Sequence, residues 1–135
     1  MNTLASFADL TPKFALGPLR VTISTAANER YWRAAGIDHP LLQAGALYPP
    51  IAANLTIMLL NQHCGDAVIQ TRQRVQCHMR AEADAELEAV GVVVAAYEKR
   101  GRAYCDIVAE VSHEGAPLWT SEVSFTPVAT FGSSA

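Results

Sequence analysis

Several things are scarce in this 135-residue sequence, and each scarcity closes off a class of function. Charged residues make up only 17%, and ten Lys and Arg against thirteen Asp and Glu leave a net charge of -3. The basic residues are scattered, so the electrostatic footprint of a nucleic-acid binder is missing. Arg72 and Arg74 flank Gln73, and Lys99, Arg100 and Arg102 crowd a turn signal. Both groups read as solvated edges or turn tips, which suppress edge-to-edge aggregation. The three cysteines, Cys64, Cys77 and Cys105, are an odd number without metal-ligand spacing. They read as buried free thiols in a reducing cytoplasm, and neither a metal nor a cofactor is expected. The opening MNTLASFADLTPKF has no basic segment and no long apolar core, so no secretory signal is read. The most apolar stretch, Leu47 to Leu60, is broken by Pro49, Pro50, Asn54 and Thr56 and is too short and too polar to span a bilayer.

What is present is a packed globular chain. Half the residues are hydrophobic, and a chain of this length forms about one domain able to fold without a disulfide or metal. Residues 1–17 read as an N-terminal arm, 18–128 as the domain and 129–135 as a flexible tail. A short strand is expected at Leu19 to Ser24. Ser24 or Thr25 then caps a helix over Ala26 to Ala35, which packs through Ala27, Tyr31, Ala34 and Ala35 and stops at Gly36. After a loop over 37–48, Pro49 and Pro50 open a second helix, PPIAANLTIMLLNQHCG, where a missing N–H costs nothing. This helix is apolar nearly all round and should be buried, with Gly65 as its C-cap.

From Val68 onward the hydrophobic period is two. Strands are expected at 70–80, 86–98, 102–113 and 117–126, separated by turn signals at 82–84, 99–101 and 114–116. The GVVVAA stretch is apolar on both faces, as in a central strand or one covered by a partner. The fold class expected is therefore α+β: a curved antiparallel sheet of about five strands wrapped around a buried central helix.

Three stretches carry a family resemblance: GPLRVTIS followed by ANERYWRAAGIDHPLL, then ALYPPIAANLTIML, then the strand series ending WTSEVSFTP. Together they resemble the hotdog fold and, within it, the MaoC-like hydratase/dehydratase group, over about Gly17 to Pro127. The resemblance implies a homodimer or a heterodimer with another hotdog chain, the two sheets joined edge to edge. It also implies an acyl thioester, or another elongated hydrophobic small molecule, along the interface. Active members carry an aspartate and a histidine in a motif G-D-x-N-P-x-H. Here that motif reads Gly36-Ile37-Asp38-His39-Pro40-Leu41-Leu42. Ile37 stands in the aspartate position and Leu42 in the histidine position, and apolar side chains transfer no protons. The form ALYPP looks like the non-catalytic hotdog repeats that pair with an active repeat.

The neighbouring Asp38 and His39 are the candidate substitutes, a carboxylate and an imidazole suited to acid/base work on an enoyl thioester. The bland alternative is a turn-capping Asp38 beside a half-exposed His39. Free amides at a helix start can bind a thioester oxyanion. With Pro49 and Pro50 lacking N–H, the candidate donors are Ile51 and Ala52, together with Gly45, Ala46, Leu47 and Tyr48. Tyr48 adds a phenolic donor or is a packed aromatic. Asn54, an amide within an apolar helix, either binds loop backbone or faces a ligand. Leu47 completes the candidate binding residues. His63 and Cys64 at the helix end, and His78 and His113 in the strands, read as structural, with His63 explained by the helix dipole.

Four functions stay open: a hydratase/dehydratase (a lyase) with Asp38, His39 and Tyr48 as catalytic residues, a non-catalytic partner or binding subunit, a hotdog cyclase or isomerase on a polyketide-like substrate, and a thioesterase. The thioesterase is weakest, because Ile51 to Gln62 contains no Asp or Glu.

Overall fold

The computed structural model describes residues 4–36 and 45–128. A single turn of 3-10 helix, Phe7–Asp9, precedes strand β1 (Ala15–Thr22) and helix α1 (Thr25–Ala34). Helix α2 (Ile51–His63) is followed by β2 (Val68–Cys77), β3 (Glu86–Lys99), β4 (Arg102–His113) and β5 (Ala116–Pro127). The five strands form one sheet in the order β1-β3-β4-β5-β2, and every neighbouring pair is antiparallel.

Period-two patterning decides which face of this sheet receives α2. Cys105, Ile107, Ala109 and Val111 of β4 are buried, as are Trp119, Ser121, Val123 and Phe125 of β5. The apolar members of these rows meet Ile51, Leu55, Leu59 and Leu60 of α2 in one core. Burying large aliphatic and aromatic side chains contributes roughly 1.5–3 kcal/mol each before entropy is counted. Two hairpins close tightly on left-handed residues, Arg100–Gly101 and Glu114–Gly115, as the sequence turn signals require.

Several expectations are corrected. The first strand starts at Ala15, so residues 15–17 belong to the sheet, and Phe7, Leu10 and Leu16 lie in the core. Helix α1 is capped by Ser24, whose Oγ accepts from the Ala27 amide at 3.1 Å, and Gly36 follows at φ +70, both as expected. Its packed face, however, is Asn28 and Trp32, while Tyr31 and Ala34 are exposed. Two larger side chains one turn apart bury more surface than the alanines do.

Helix α2 is not covered all round: Asn54, Met58 and Asn61 form an exposed stripe. A sheet wraps three sides of a helix and leaves the fourth, which is why that stripe is mostly polar. The helix ends on Cys64 in extended conformation, not on a left-handed Gly65. Cys77 is exposed, because β2 is an edge strand without a fully buried residue. Within β3, Val90 and Val94 are exposed, since this strand lines the face opposite α2 as well as the core.

Candidate functional site

The entrance to α2 is built by α1. Asn28, one per cent exposed, donates from Nδ2 to the Ala46 carbonyl at 2.8 Å and accepts at Oδ1 from the Tyr48 amide at 3.0 Å. One turn on, Trp32 Nε1 donates to the same Ala46 carbonyl at 3.0 Å, and its ring meets Tyr48 edge-on at 5.0 Å. From the other side, the Leu47 amide donates to Ala81 at 2.8 Å and the Ala83 amide to Gly45 at 2.9 Å. Residues 45–48 are therefore clamped between α1 and the segment leading into β3. Asp84 fixes the start of α1 by accepting from the Thr25 amide and hydroxyl at 3.2 and 2.7 Å.

This clamp changes the electrophilic chemistry on offer. The Ile51 amide donates to the Tyr48 carbonyl at 3.0 Å, and the Ala52 amide to Pro49 at 3.0 Å. Ala53 donates to Pro50 at 3.1 Å. With Tyr48 and Leu47 also engaged, four of the amides expected to receive an oxyanion, at Leu47, Tyr48, Ile51 and Ala52, have partners within the chain. The first amides of the helix fold back into its own turn, so Ile51, Ala52 and Ala53 are committed before any ligand arrives.

Beside the entrance lies a groove of about 330 Å³. Ala46, Leu47 and Pro49 form one part of its lining; Cys77, His78, Met79 and Ala81 form another, and Trp119 also lines it. Two of its polar groups are engaged. His78 Nε2 lies 2.7 Å from Thr120 Oγ1, and Arg80 pairs with Glu82 at 2.6 Å, a bond that raises the guanidinium's already high pKa. Such a groove can shelter an apolar chain; His78 and Arg80 in its lining are paired, and the exposed Cys77 thiol is the ionisable group left open there.

The sequence candidates fall unevenly on this site. Asp38 and His39 lie outside the described residues. Leu47 is buried on the groove wall, and Tyr48 is half-buried against Trp32. Ile51 and Ala52 are buried with their amides occupied. Asn54 is not a buried amide: it is exposed, and its Nδ2 donates to the Tyr31 hydroxyl at 3.4 Å. His63, in the last turn of α2, accepts at Nε2 from the Gly17 amide at 3.0 Å, a structural bond. His113 donates from Nδ1 to the Glu86 carbonyl at 2.7 Å, a structural bond. Among the described residues no group of three or more His, Cys, Asp or Glu could hold a metal ion.

The residue the sequence reading missed is Asn28. Its signal was its place one helical turn before Trp32, the largest apolar side chain in α1; orienting the helix on that tryptophan puts an amide on the buried face.

No family model matches the sequence, and neither does any curated protein. Solved structures do. The C-terminally truncated HadBC (3R-hydroxyacyl-ACP dehydratase) complex from Mycobacterium tuberculosis superposes with a TM-score of 0.74 at 14% identity, over 85% of this chain and 96% of that one. The (R)-hydratase from A. caviae involved in PHA biosynthesis gives 0.69 at 16% identity, over 86% and 96%. The chain has the hotdog fold. A MaoC-like dehydratase from Rhodospirillum rubrum extends the likeness to 91% of this hotdog chain and 96% of its own, with a TM-score of 0.68 at 15% identity. At such identities the architecture is shared while side chains are free to differ, so the chemistry of this hotdog chain is read from its own residues.

Proposed function

We propose that this hotdog chain is a non-catalytic, acyl-thioester-holding subunit of a hydratase/dehydratase-type pair. The observation that carries the reading is the committed entrance to α2, where Leu47, Tyr48, Ile51 and Ala52 all donate to partners within the chain. An oxyanion hole needs donors that are free and aimed at the developing charge. The apolar Ile37 and Leu42 at the acid/base positions of the family motif support the same reading. The groove beside the entrance suits the acyl portion of the ligand. The partner in this reading is a second hotdog chain that supplies the acid/base residues; the HadBC structure is itself a complex. Three unpaired cysteines fit a reducing cytoplasm, and among the described residues no helix is long and apolar enough to cross a membrane.

The test is hydration of short and long enoyl-CoA by the purified chain, beside direct binding of the same esters. Binding without turnover is the expected result. Turnover by the chain alone that disappears in Asp38→Asn or His39→Ala would overturn it in favour of a hydratase. Binding of a bulky polycycle with no binding of CoA esters would overturn it in favour of a cyclase.

A further inference from the structure

Two groups of basic residues, far apart in the sequence, come together on the face of the sheet turned away from α2. Arg72 of β2 sits opposite Ser124 of β5, which sits opposite Asp106 of β4. The β3–β4 hairpin brings Lys99 and Arg100 to the same place, and Tyr97 faces Tyr104 across that hairpin. Arg72, Lys99, Arg100 and the two tyrosines line a pocket of about 230 Å³. In a chain of net charge -3, this is a local reversal of sign.

Three features distinguish the pocket from a solvated edge. First, its cations are uncommitted. Arg20, Arg33 and Arg80 each pair with a carboxylate, whereas Arg72, Lys99 and Arg100 make no ion pair or side-chain hydrogen bond among the described residues. Second, the Asp106 carboxylate on this face is tied to neighbouring hydroxyls: its Oδ1 accepts from the Tyr97 hydroxyl at 3.0 Å and from Ser124 Oγ at 2.7 Å. Third, the frame is stiff. Arg100 and Gly101 occupy consecutive left-handed positions of a tight hairpin, and the Tyr97 and Tyr104 rings stack at 5.5 Å and 15°. Tyr97 remains 40% exposed, leaving aromatic surface open beside the cations.

We propose that Arg72, Lys99 and Arg100, beside the Tyr97–Tyr104 stack, form a binding site for a nucleoside diphosphate. Guanidinium and ammonium groups converging on one pocket suit a diphosphate, which an arginine fork engages through paired charge-assisted bonds. The stacked rings supply a sequence-tolerant platform for a flat base. The site lies on the opposite face of the sheet from the groove and stands or falls independently of the thioester reading.

The experiment is calorimetric titration of the full chain with pyrophosphate and, separately, with ADP. Both should bind, ADP more tightly. Arg72→Ala should weaken both by roughly tenfold, the loss expected for one charge-assisted contact of about 1.5 kcal/mol. Tyr97→Leu, which also releases Asp106 from the tyrosine hydroxyl, should abolish the advantage of ADP over pyrophosphate. Arg30→Ala, which removes a cation on α1, should change neither. All three positions are solvent-exposed, and an unchanged circular dichroism spectrum verifies folding. Absence of binding overturns the proposal, as does equal weakening by Arg30→Ala and Arg72→Ala, the sign of general charge attraction. Equal affinity for pyrophosphate and ADP in the wild type overturns the nucleoside part.

Discussion

At its C-terminal end α2 runs into the N-terminal segment and is sealed there. The Ala5 amide donates to the His63 carbonyl at 2.7 Å, Gly65 donates back to Ala5 at 2.9 Å, and Asp66 accepts from the Phe7 amide at 2.7 Å. The His63 ring takes the Gly17 amide and packs edge-on to Phe14 at 6.0 Å. At its N-terminal end the same helix is anchored by a clamped loop, with the groove open beside it. A short strand-like bridge braces each end, to Ala5 at the sealed end and to Glu82 at the other, and the side chains of α1 reach only the latter. The apolar rod thus has one end available for a ligand, and a single amide, Asn28, shapes it.

Three perturbations test this contrast. The largest effect belongs to the sealed end. A methyl group on Gly17 would lie 2.9 Å from both the Ala89 carbonyl and Leu59 Cδ2, at a backbone φ of +94. Gly17→Ala should therefore lower unfolding free energy by about 3 kcal/mol, from left-handed backbone and overpacking together. The denaturation midpoint measures it, and a loss below about 1 kcal/mol would mean that this end yields easily.

At the open end, Asn28→Ala should cost about 2 kcal/mol, because the Tyr48 amide loses its acceptor and the Ala46 carbonyl keeps only Trp32. It should also change acyl-ester affinity, whereas His63→Leu at the sealed end should not. Equal effects of the two variants on ligand binding would erase the distinction between the ends.

The smallest effect concerns thiols. Cys77 lines the groove and is exposed, Cys64 sits buried at the sealed end, and Cys105 is in the core. Burial raises the Cys64 thiol above its usual range and pushes Cys105 up to about 12, with Asp106 adding to the latter. A neutral-pH thiol reagent should modify Cys77 alone in the native protein and all three once it is unfolded. The sign of the accompanying pH effect follows from the raised value. Above pH 9 the unfolded chain releases the Cys105 proton and the native chain holds it, so stability falls as pH rises from about 9 toward 12. A Cys105→Ala variant should lose that part of the slope.

Much of the architecture was legible from periodicity. The alternation in Arg102–His113 and in the strand from Ala116 locates the buried face, and Lys99-Arg100-Gly101 and Glu114-Gly115 locate the hairpins. The site was less legible. Ile51 and Ala52 stand where free helix amides are expected, but whether those amides are free depends on how the preceding loop closes. Asn54 looked buried because its helix is apolar, although the sheet leaves its side uncovered. Asn28 escaped notice because its two partners are 18 and 20 residues away.

By itself the sequence determined the main helices and strands, their order and the buried faces of β4 and β5, since these follow from short-range periodicity and local turn chemistry, whereas the packed face of α1 and the uncovered stripe of α2 did not. Only the tertiary structure decided which donors stay free, which end of the central helix is sealed, and that Arg72 meets Lys99 and Arg100. Each of these depends on contacts between segments distant along the chain, and no local pattern encodes such distances.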